Sequence, residues 1–386
     1  MATEPTIDFE VLLAPLGDDT PAGVDLKESP ELSPAYYAVK DARQAARLAE
    51  RQLLEASMGS GDPDAPTPDP PDWNLVVKLA TEVLSGKSKD LWVAAWLLEG
   101  LTRKHGFAGV RDGYRLIREL CERYWNDVHP RPDEDGLATT VAQITGLNGD
   151  GSDGALVGPI LAIPLTQGES SGPLSGRDYV DAVALESKDA DYRARQVEAG
   201  AAVLADFEVA ARETPPEHFA TVREDIAEAQ AEFQQLTALL DELCVEGPDA
   251  TNVAPPSSAI RNVLVQSADH ARVIGGESAD DAGSEEDAEE GSEAGDADGP
   301  TVAAPARAAA VGEINSRESA LKALAKVADY FRRTEPHSPV SYSLEQAVRW
   351  ARMPLPALLN ELVSDSSTRR ELSKLTGIPM PDEDDD

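Results

Sequence analysis

One segment of the chain, residues 217–243, has apolar residues at an uninterrupted heptad spacing. Eight of them follow one another in steps of three and four: Phe219, Val222, Ile226, Ala229, Phe233, Leu236, Leu240 and Leu243. This spacing places every member on one stripe of an α-helix and does not fit the period of two that a β-strand requires. The segment therefore predicts a long helix with one apolar face, as found in coiled coils and helical bundles.

Most of the chain that precedes this helix also has helical periodicity. Helices are predicted over residues 34–58, 73–84, 89–104, 107–125, 137–147 and from 177 onward. A loop rich in Pro, Gly and Asp over 59–72 separates the first two, and Gly86 joins the second and third as an antiparallel pair. Residues 155–165 are the one run with strand character, and Pro159 and Pro164 predict an edge strand or an extended connector there. The predicted fold class is mostly all-α.

Acidic residues are concentrated in two places. The whole chain of 386 residues has 34 Lys and Arg against 71 Asp and Glu, a net charge of −37. Residues 276–300 include eleven acidic residues and no basic one, and most of the others are Gly, Ala or Ser. Such a segment cannot bury enough apolar surface to offset its ordering entropy, so residues 273–313 are predicted to be a disordered acidic linker. Residues 381–386 are predicted to be an acidic tail.

The linker divides the chain into predicted domains. Residues 1–170 are predicted to form a helical N-terminal domain, and residues 171–272 a helical extension that packs with it as a bundle. After the linker, residues 314–380 are predicted to form a small C-terminal helical module of four short helices. This module has ten basic and seven acidic residues, a net charge of +3 in a chain that is otherwise acidic.

The C-terminal module also contains the residues that we predict to form a protein interface. Arg, Trp and Met are enriched at interfaces, and all three occur in the run Arg349–Met353. The predicted interface residues are Arg332, Arg333, Arg349, Trp350 and Arg352. Alternatively, the same Arg and Trp side chains bind nucleic acid, which would make the protein a nucleic-acid-binding regulator. A net charge of +3 is mild for that role, so a protein interface is favoured.

Composition and charge exclude several broad classes. A chain at −37 repels polyanions, which argues against nucleic acid or anionic lipid as the partner of the whole chain. Cys121 and Cys244 stand far apart without a Cys-x-x-Cys pair, as expected in a reducing compartment. The N-terminus has no apolar leader, and no apolar run approaches the ~20 residues of a membrane span. We therefore expect a soluble cytoplasmic protein without direct membrane insertion.

Three catalytic or ligand-binding motifs match only in part. Residues 168–172 fit the Gly-x-Ser-x-Gly pattern of serine hydrolases, but Pro173 follows where a helix must begin. Residues 86–88 resemble the end of a phosphate-binding loop but lack its first glycine and the preceding strand. The loop from Asn148 departs from the calcium-binding pattern, and no two His are spaced as zinc ligands. A serine hydrolase acting through Ser170 stays a second alternative; no catalytic residue, cofactor or metal is predicted.

A set of short motifs occurs in order along the first 130 residues. They are Pro21-x-Gly23-x-Asp25-Leu26, Asp72-Trp73, Ser88-Lys89-Asp90-Leu91 with Trp96, Gly109-x-x-Asp112-Gly113 and Trp125-x-x-Val128-His129-Pro130. In this order they resemble the ImpA-type N-terminal domain of TssA proteins, components of the bacterial type VI secretion system. The resemblance is strongest over residues 10–170 and weaker to about 270, and residues 330–354 are similar to one class of TssA C-terminal region. The acidic linker departs from the family pattern by its length.

The resemblance implies a non-enzymatic assembly protein. TssA-like proteins form rings through their C-terminal part and contact baseplate, sheath, tube and membrane-complex components while the contractile tail is built. For this chain it implies a homo-oligomer through the C-terminal module, those secretion-system proteins as partners, and no nucleic acid. The motif residues are interpreted as structural; they are Pro21, Gly23, Asp25, Leu26, Trp96, Trp125, His129 and Pro130. Among them, His129 is predicted to cap a helix end.

Overall fold

The computed structural model describes residues 1–57, 69–150, 154–247, 251–276, 321, 324–328, 332 and 339–353. Contacts within the chain form two units, Met1–Glu289 and Glu290–Asp386. The predicted linker from residue 277 onward, the tail and most of the C-terminal module lie outside the described residues.

The regular secondary structure in the described part of the first unit is almost entirely helical. Its helices are α1 (Phe9–Leu13), α2 (Ser33–Ser57), α3 (Trp73–Gly86), α4 (Leu91–Tyr124), α5 (Leu137–Asn148), α6 (Val157–Leu161), α7 (Gly176–Glu186), α8 (Ala190–Glu198), α9 (Leu204–Glu213), α10 (Pro216–Leu243) and α11 (Ser258–Ile274). A two-residue antiparallel ladder of β1 (Val245–Glu246) and β2 (Thr251–Asn252) is the only sheet among the described residues. The prediction of a mostly all-α chain is confirmed.

The central helix, α4, is interrupted where the sequence predicts a break. Gly106 has φ 59° and ψ −136°, a conformation that glycine adopts without steric cost. The two predicted helices over 89–104 and 107–125 are therefore the two halves of α4. Both halves are buried nearly all round, because α3, α5 and α10 pack against them.

The second half of α4 folds back along the first half at backbone distance. A Cβ added to Gly109 would lie 2.1 Å from the main-chain oxygen of Leu101. A Cβ added to Gly113 would lie 2.5 Å from Leu98 Cδ1. The two glycines are four residues apart, so they share one helix face, and the second half adds no side chain of its own at these two points of the crossing.

The heptad helix is a bundle helix, as the sequence predicts. Seven of its eight seam residues are buried and Leu243 is half-buried. The seam faces α4 and α11, against which α10 packs. The seam also buries a charged residue, Asp225, which the apolar period does not reveal.

The prediction of a strand or an extended connector over 155–165 is wrong for most of that segment. Residues Val157–Leu161 form the short helix α6, and Pro159 lies in its first turn. Proline is tolerated there because first-turn N–H groups have no partner within the helix. Only Pro164 is extended, and it forms a single antiparallel bridge with Ser175.

In the second unit, the longest described element is α12 (Pro339–Arg352). The sequence predicts one of the four short helices of the C-terminal module over residues 344–351; α12 contains it and begins five residues earlier, at Pro339, a residue favoured at the first helical position. The sequence also predicts an apolar stripe over residues 320–331, and two of its members, Leu321 and Ala328, are buried.

Candidate functional site

Three of the five sequence motifs meet where connecting segments cross, at a place that we call the motif junction (residues 20–26, 86–91 and 125–130). Gly23 sets the distance between the first two segments. Its φ is 75°, and a Cβ added there would lie 2.3 Å from the main-chain oxygen of Lys87. Both the left-handed backbone and the close approach require glycine.

Main-chain hydrogen bonds join the three segments around Lys89. The amide of Lys89 donates to the Ala22 oxygen over 2.8 Å, and the amide of His129 donates to the Lys89 oxygen over 3.0 Å. The amide of Leu91, the first residue of α4, donates to the His129 oxygen over 2.7 Å. The main-chain oxygen of His129 thus accepts from the first amide of α4, whereas neither ring nitrogen has a hydrogen-bond partner among the described residues.

The side chain of Lys89 is completely buried beneath the motif junction. Its Nζ donates to the main-chain oxygens of Leu12, over 2.7 Å, and Leu84, over 2.8 Å. Burial lowers the pKa of Lys89 to about 8. This lysine belongs to a family motif, but its spacing alone does not distinguish a buried cation from an exposed one.

Asp90, also buried, is the N-cap of α4. Its Oδ1 accepts from the amides of Trp92, over 2.8 Å, and Val93, over 3.0 Å. Burial raises the pKa of Asp90 to about 6, and the two amide donors oppose that shift. The motif thus serves local structure, because Asp is a favoured N-cap residue.

His129 is buried beside Asp25. Its Nδ1 lies 3.8 Å from Asp25 Oδ2, and the His129–Pro130 peptide bond is cis. Burial lowers the pKa of His129, and the carboxylate of Asp25 offsets part of that effect. The imidazole is therefore neutral at pH 7.

The other motif residues pack or close turns. Leu26 is fully buried, and the Nε1 of buried Trp96 donates to Gln143 Oε1 over 2.9 Å. The Pro21 oxygen accepts from the Leu16 amide, and Trp125, half-buried, is the C-cap of α4. Their observed contacts are structural.

A second buried charge cluster joins the N-terminal segment to α4 and α10. Arg111 Nε lies 2.8 Å from Asp112 Oδ1, and Arg111 Nη1 lies 3.2 Å from Asp225 Oδ1. Thr3 donates to Asp225 from both its amide and its hydroxyl, and Thr6 does the same to Asp112. Asp112 is a fixed position of the Gly109-x-x-Asp112-Gly113 motif, whereas neither the motifs nor the apolar spacing mark Arg111 or Asp225.

The structure describes part of the predicted C-terminal interface. Arg332 forms an ion pair with Glu345, Arg349 is exposed and Trp350 is half-buried on α12. The side chains of Arg333 and Arg352 lie outside the described residues.

Ser170, the serine of the partial hydrolase motif, is exposed in the loop before α7, and its hydroxyl donates to the carboxylate of Glu213. The described lining of the cavity beside Ser170 contains no histidine that could activate it. Within the described ranges, no group of three His, Cys, Asp or Glu is placed to hold a metal ion. None of the helices in those ranges is both long enough and apolar enough to cross a membrane.

Comparison with known proteins agrees with the motifs. The family model described as "ImpA, N-terminal, type VI secretion system" matches residues 13–149. The type VI secretion system component TssA1 of Pseudomonas aeruginosa is 31% identical over 373 residues, which is 95% of this chain and 97% of that protein.

One solved structure has the same fold over the N-terminal part. It is the N-terminal domain, including the conserved ImpA_N region, of the TssA component from Burkholderia cenocepacia. The TM-score is 0.56 at 24% identity, over 70% of this chain and 96% of that chain.

The helical unit around the motif junction is thus an ImpA_N-type domain of a type VI secretion component. The chain belongs to the TssA family, and the resemblance seen in the motifs is confirmed.

Proposed function

We propose that this protein is a non-enzymatic, cytoplasmic scaffold of the type VI secretion system. The C-terminal module self-associates into a ring, and the N-terminal domains contact baseplate, sheath, tube and membrane-complex proteins during assembly of the contractile tail. The observation that supports this best is the identity to TssA1, which extends over 95% of the chain and so includes the region of the C-terminal module.

A ring gives the N-terminal domains an advantage in binding. Several copies on one assembly raise the effective concentration of each, so that weak individual contacts add up. The acidic linker suits this arrangement, because like charges extend a chain and increase its reach.

Light scattering on two forms of the protein tests self-association. The full chain is expected to have a mass several times that of one chain, and a truncation after Gly276 is expected to be monomeric. Ending at Gly276 keeps α11 intact, including the buried Ala271 and Ile274. Monomeric masses for both forms would contradict the proposal.

A double variant tests the proposed interface residues. Arg349→Glu with Trp350→Ala is expected to shift the full chain toward the monomer, because the change removes an aromatic anchor and reverses a charge. Arg212→Glu with Val209→Ala, two exposed changes on α9 of the first unit, is the matched control. An unchanged mass for the interface variant would remove Arg349 and Trp350 from the interface.

A further inference from the structure

A large groove in the first unit has basic walls, although the chain as a whole is strongly acidic. It lies between the C-terminal half of α2 and residues 155–164, with part of α4 at its base, and has a volume of about 970 Å³. We call it the basic groove. Its described lining has one acidic residue, Glu50, and five basic ones: Arg47, Arg51, Arg103, Lys104 and Arg177.

Two of the basic residues are held in place by acids of the same domain. Arg47 forms an ion pair with the fully buried Glu99, which also binds Arg43 over 2.7 Å. Arg103 Nε lies 2.6 Å from Glu50 Oε1. These pairs neutralise part of the charge and fix the guanidinium groups along one wall.

The other three basic residues have binding capacity left. Arg51 and Lys104 are exposed, and neither forms an ion pair within the described part of the chain. Arg177 Nη2 donates to the Gly158 oxygen over 3.1 Å, but its Nε is buried without an acceptor among those residues. Among the described residues, Arg51, Lys104 and Arg177 therefore provide the positive charge of the groove that no acid neutralises.

The groove also has apolar surface between its charges. Trp73 is buried under the Arg103 guanidinium, whose carbon is 4.0 Å from the ring centroid, so it supports one wall and offers little surface itself. Pro159, Ala162 and Pro164 line the opposite side, where Ala162 is exposed. An apolar centre with a charged rim is the usual composition of a protein interface.

We propose that the basic groove binds an acidic segment of a partner protein. An apolar side chain of the segment lies against the exposed Ala162, and the carboxylates of the segment face Arg51, Lys104 and Arg177. A protein segment fits better than nucleic acid, because a chain at −37 repels a long polyanion, whereas a short acidic segment meets only the local field of the groove. This inference rests on the proposed function in one respect: the acidic segment is expected to belong to a secretion-system protein.

Fluorescence anisotropy with the full chain tests the groove. The probe is a labelled twelve-residue peptide with a central Leu-Trp pair between two runs of Glu and Asp. One control peptide has Gln and Asn in place of the acids, and the other has Gly-Ser in place of Leu-Trp. The probe is expected to bind at least about tenfold more tightly than either control, and more weakly at about 500 mM than at about 50 mM NaCl.

Variants on both walls locate the binding. Arg51→Glu with Lys104→Glu is expected to weaken binding of the probe about tenfold, and Ala162→Asp about threefold or more, because each places carboxylates against the segment. Lys78→Glu with Lys188→Glu changes the net charge equally at exposed positions outside the groove and is expected to stay within about twofold.

Several outcomes would overturn the inference. The first is that groove and control variants weaken binding of the probe equally. The second is that the Gly-Ser peptide binds as tightly as the probe. The third is that a single-stranded DNA oligonucleotide binds more tightly than the probe. If the probe binds only after Asp62→Asn with Asp64→Asn, the acidic loop over 59–72 of the same chain competes for the groove, and the groove is assigned to that loop instead of a partner. These variants leave residues 277–386 unchanged, so the mass of the oligomer tests the proposed scaffold separately.

Discussion

The Nζ of Lys89 lies 2.7 Å from the main-chain oxygen of Leu12, 77 residues earlier in the chain. It lies 2.8 Å from the oxygen of Leu84 as well, so a fully buried ammonium group is held by two carbonyl oxygens. The contacts connect the end of α1 to the end of α3 beneath the motif junction. Lys89 therefore stabilises the junction through its donors, while its charge is a cost of burial.

Replacing Lys89 by Met is expected to lower the free energy of unfolding by about 2 to 4 kcal/mol, because two buried carbonyl oxygens lose their donor. Urea denaturation followed by circular dichroism measures the change. Lys78→Met, at an exposed position on α3, is the control and is expected to stay within about 0.5 kcal/mol. A stability equal to that of the control would show that the carbonyl contacts contribute little.

The free energy of unfolding is expected to depend on pH differently in the wild type and in Lys89→Met. Burial lowers the pKa of Lys89 to about 8, against about 10.4 for a free lysine. Between these values the unfolded chain binds a proton that the folded chain does not, so stability rises with pH. The stability difference between wild type and Lys89→Met should grow from pH 8 to about pH 10. A stability difference that is constant over this pH range would contradict the lowered pKa of Lys89 in the folded chain.

Asp90 is expected to give stability the opposite pH dependence to that of Lys89, and at lower pH. Burial raises its pKa to about 6, above the value of about 3.9 in an unfolded chain. Between about pH 4 and pH 6 the folded chain binds the extra proton, so the contribution of Asp90 to stability falls as pH rises.

Asp90→Asn should remove this dependence and keep the N-cap, since Asn is also favoured there. Denaturation curves of both proteins at pH 4 to 6 give the comparison. Parallel pH profiles for the two proteins would rule out the titration.

Gly113→Ala is expected to destabilise the first unit by at least about 2 kcal/mol, because the new methyl group would enter the crossing of the two halves of α4. The matched control is Gly146→Ala on α5, where an added Cβ meets nothing within 4 Å. That change should instead stabilise by about 0.5 to 1 kcal/mol through helix propensity. Thermal unfolding resolves the opposite signs, and equal shifts would contradict the close crossing.

Arg111→Met is expected to cost about 3 to 5 kcal/mol, because Asp112 and Asp225 would be left buried without their cation. Arg212→Met removes an ion pair to Glu208 in which both side chains are more than 70% exposed, and should cost less than about 0.5 kcal/mol. Urea denaturation at neutral pH compares the two. Similar small losses would mean that the buried cluster contributes no more than a surface pair.

Periodicity was sufficient to predict much of the fold. The seam of α10 and the break before Phe107 follow from the spacing of apolar residues and from glycine, both of which act over a few neighbouring positions. The strand prediction over 155–165 fails because proline excludes a helix only beyond its first turn, and Pro159 lies in the first turn of α6.

The buried charges could not be predicted in the same way. Asp225 is buried because its partners include Thr3, 222 residues away in the chain, and Arg111 on another helix. A sequence motif identified Lys89 and Asp90 as part of a family pattern, but their burial depends on the crossing of three segments. The basic groove likewise collects residues from α2, α4 and α7, so no single segment reveals it.

The glycine-lined crossing in α4 has a mechanical consequence. Where side chains of both helices separate two helices, rotamer changes allow small sliding motions, but Gly109 lies directly against the main chain of Leu101, and Gly113 lies directly against Leu98. Shear along α4 therefore meets hard contacts almost at once. We therefore expect the two halves of α4 to move together as one rigid unit.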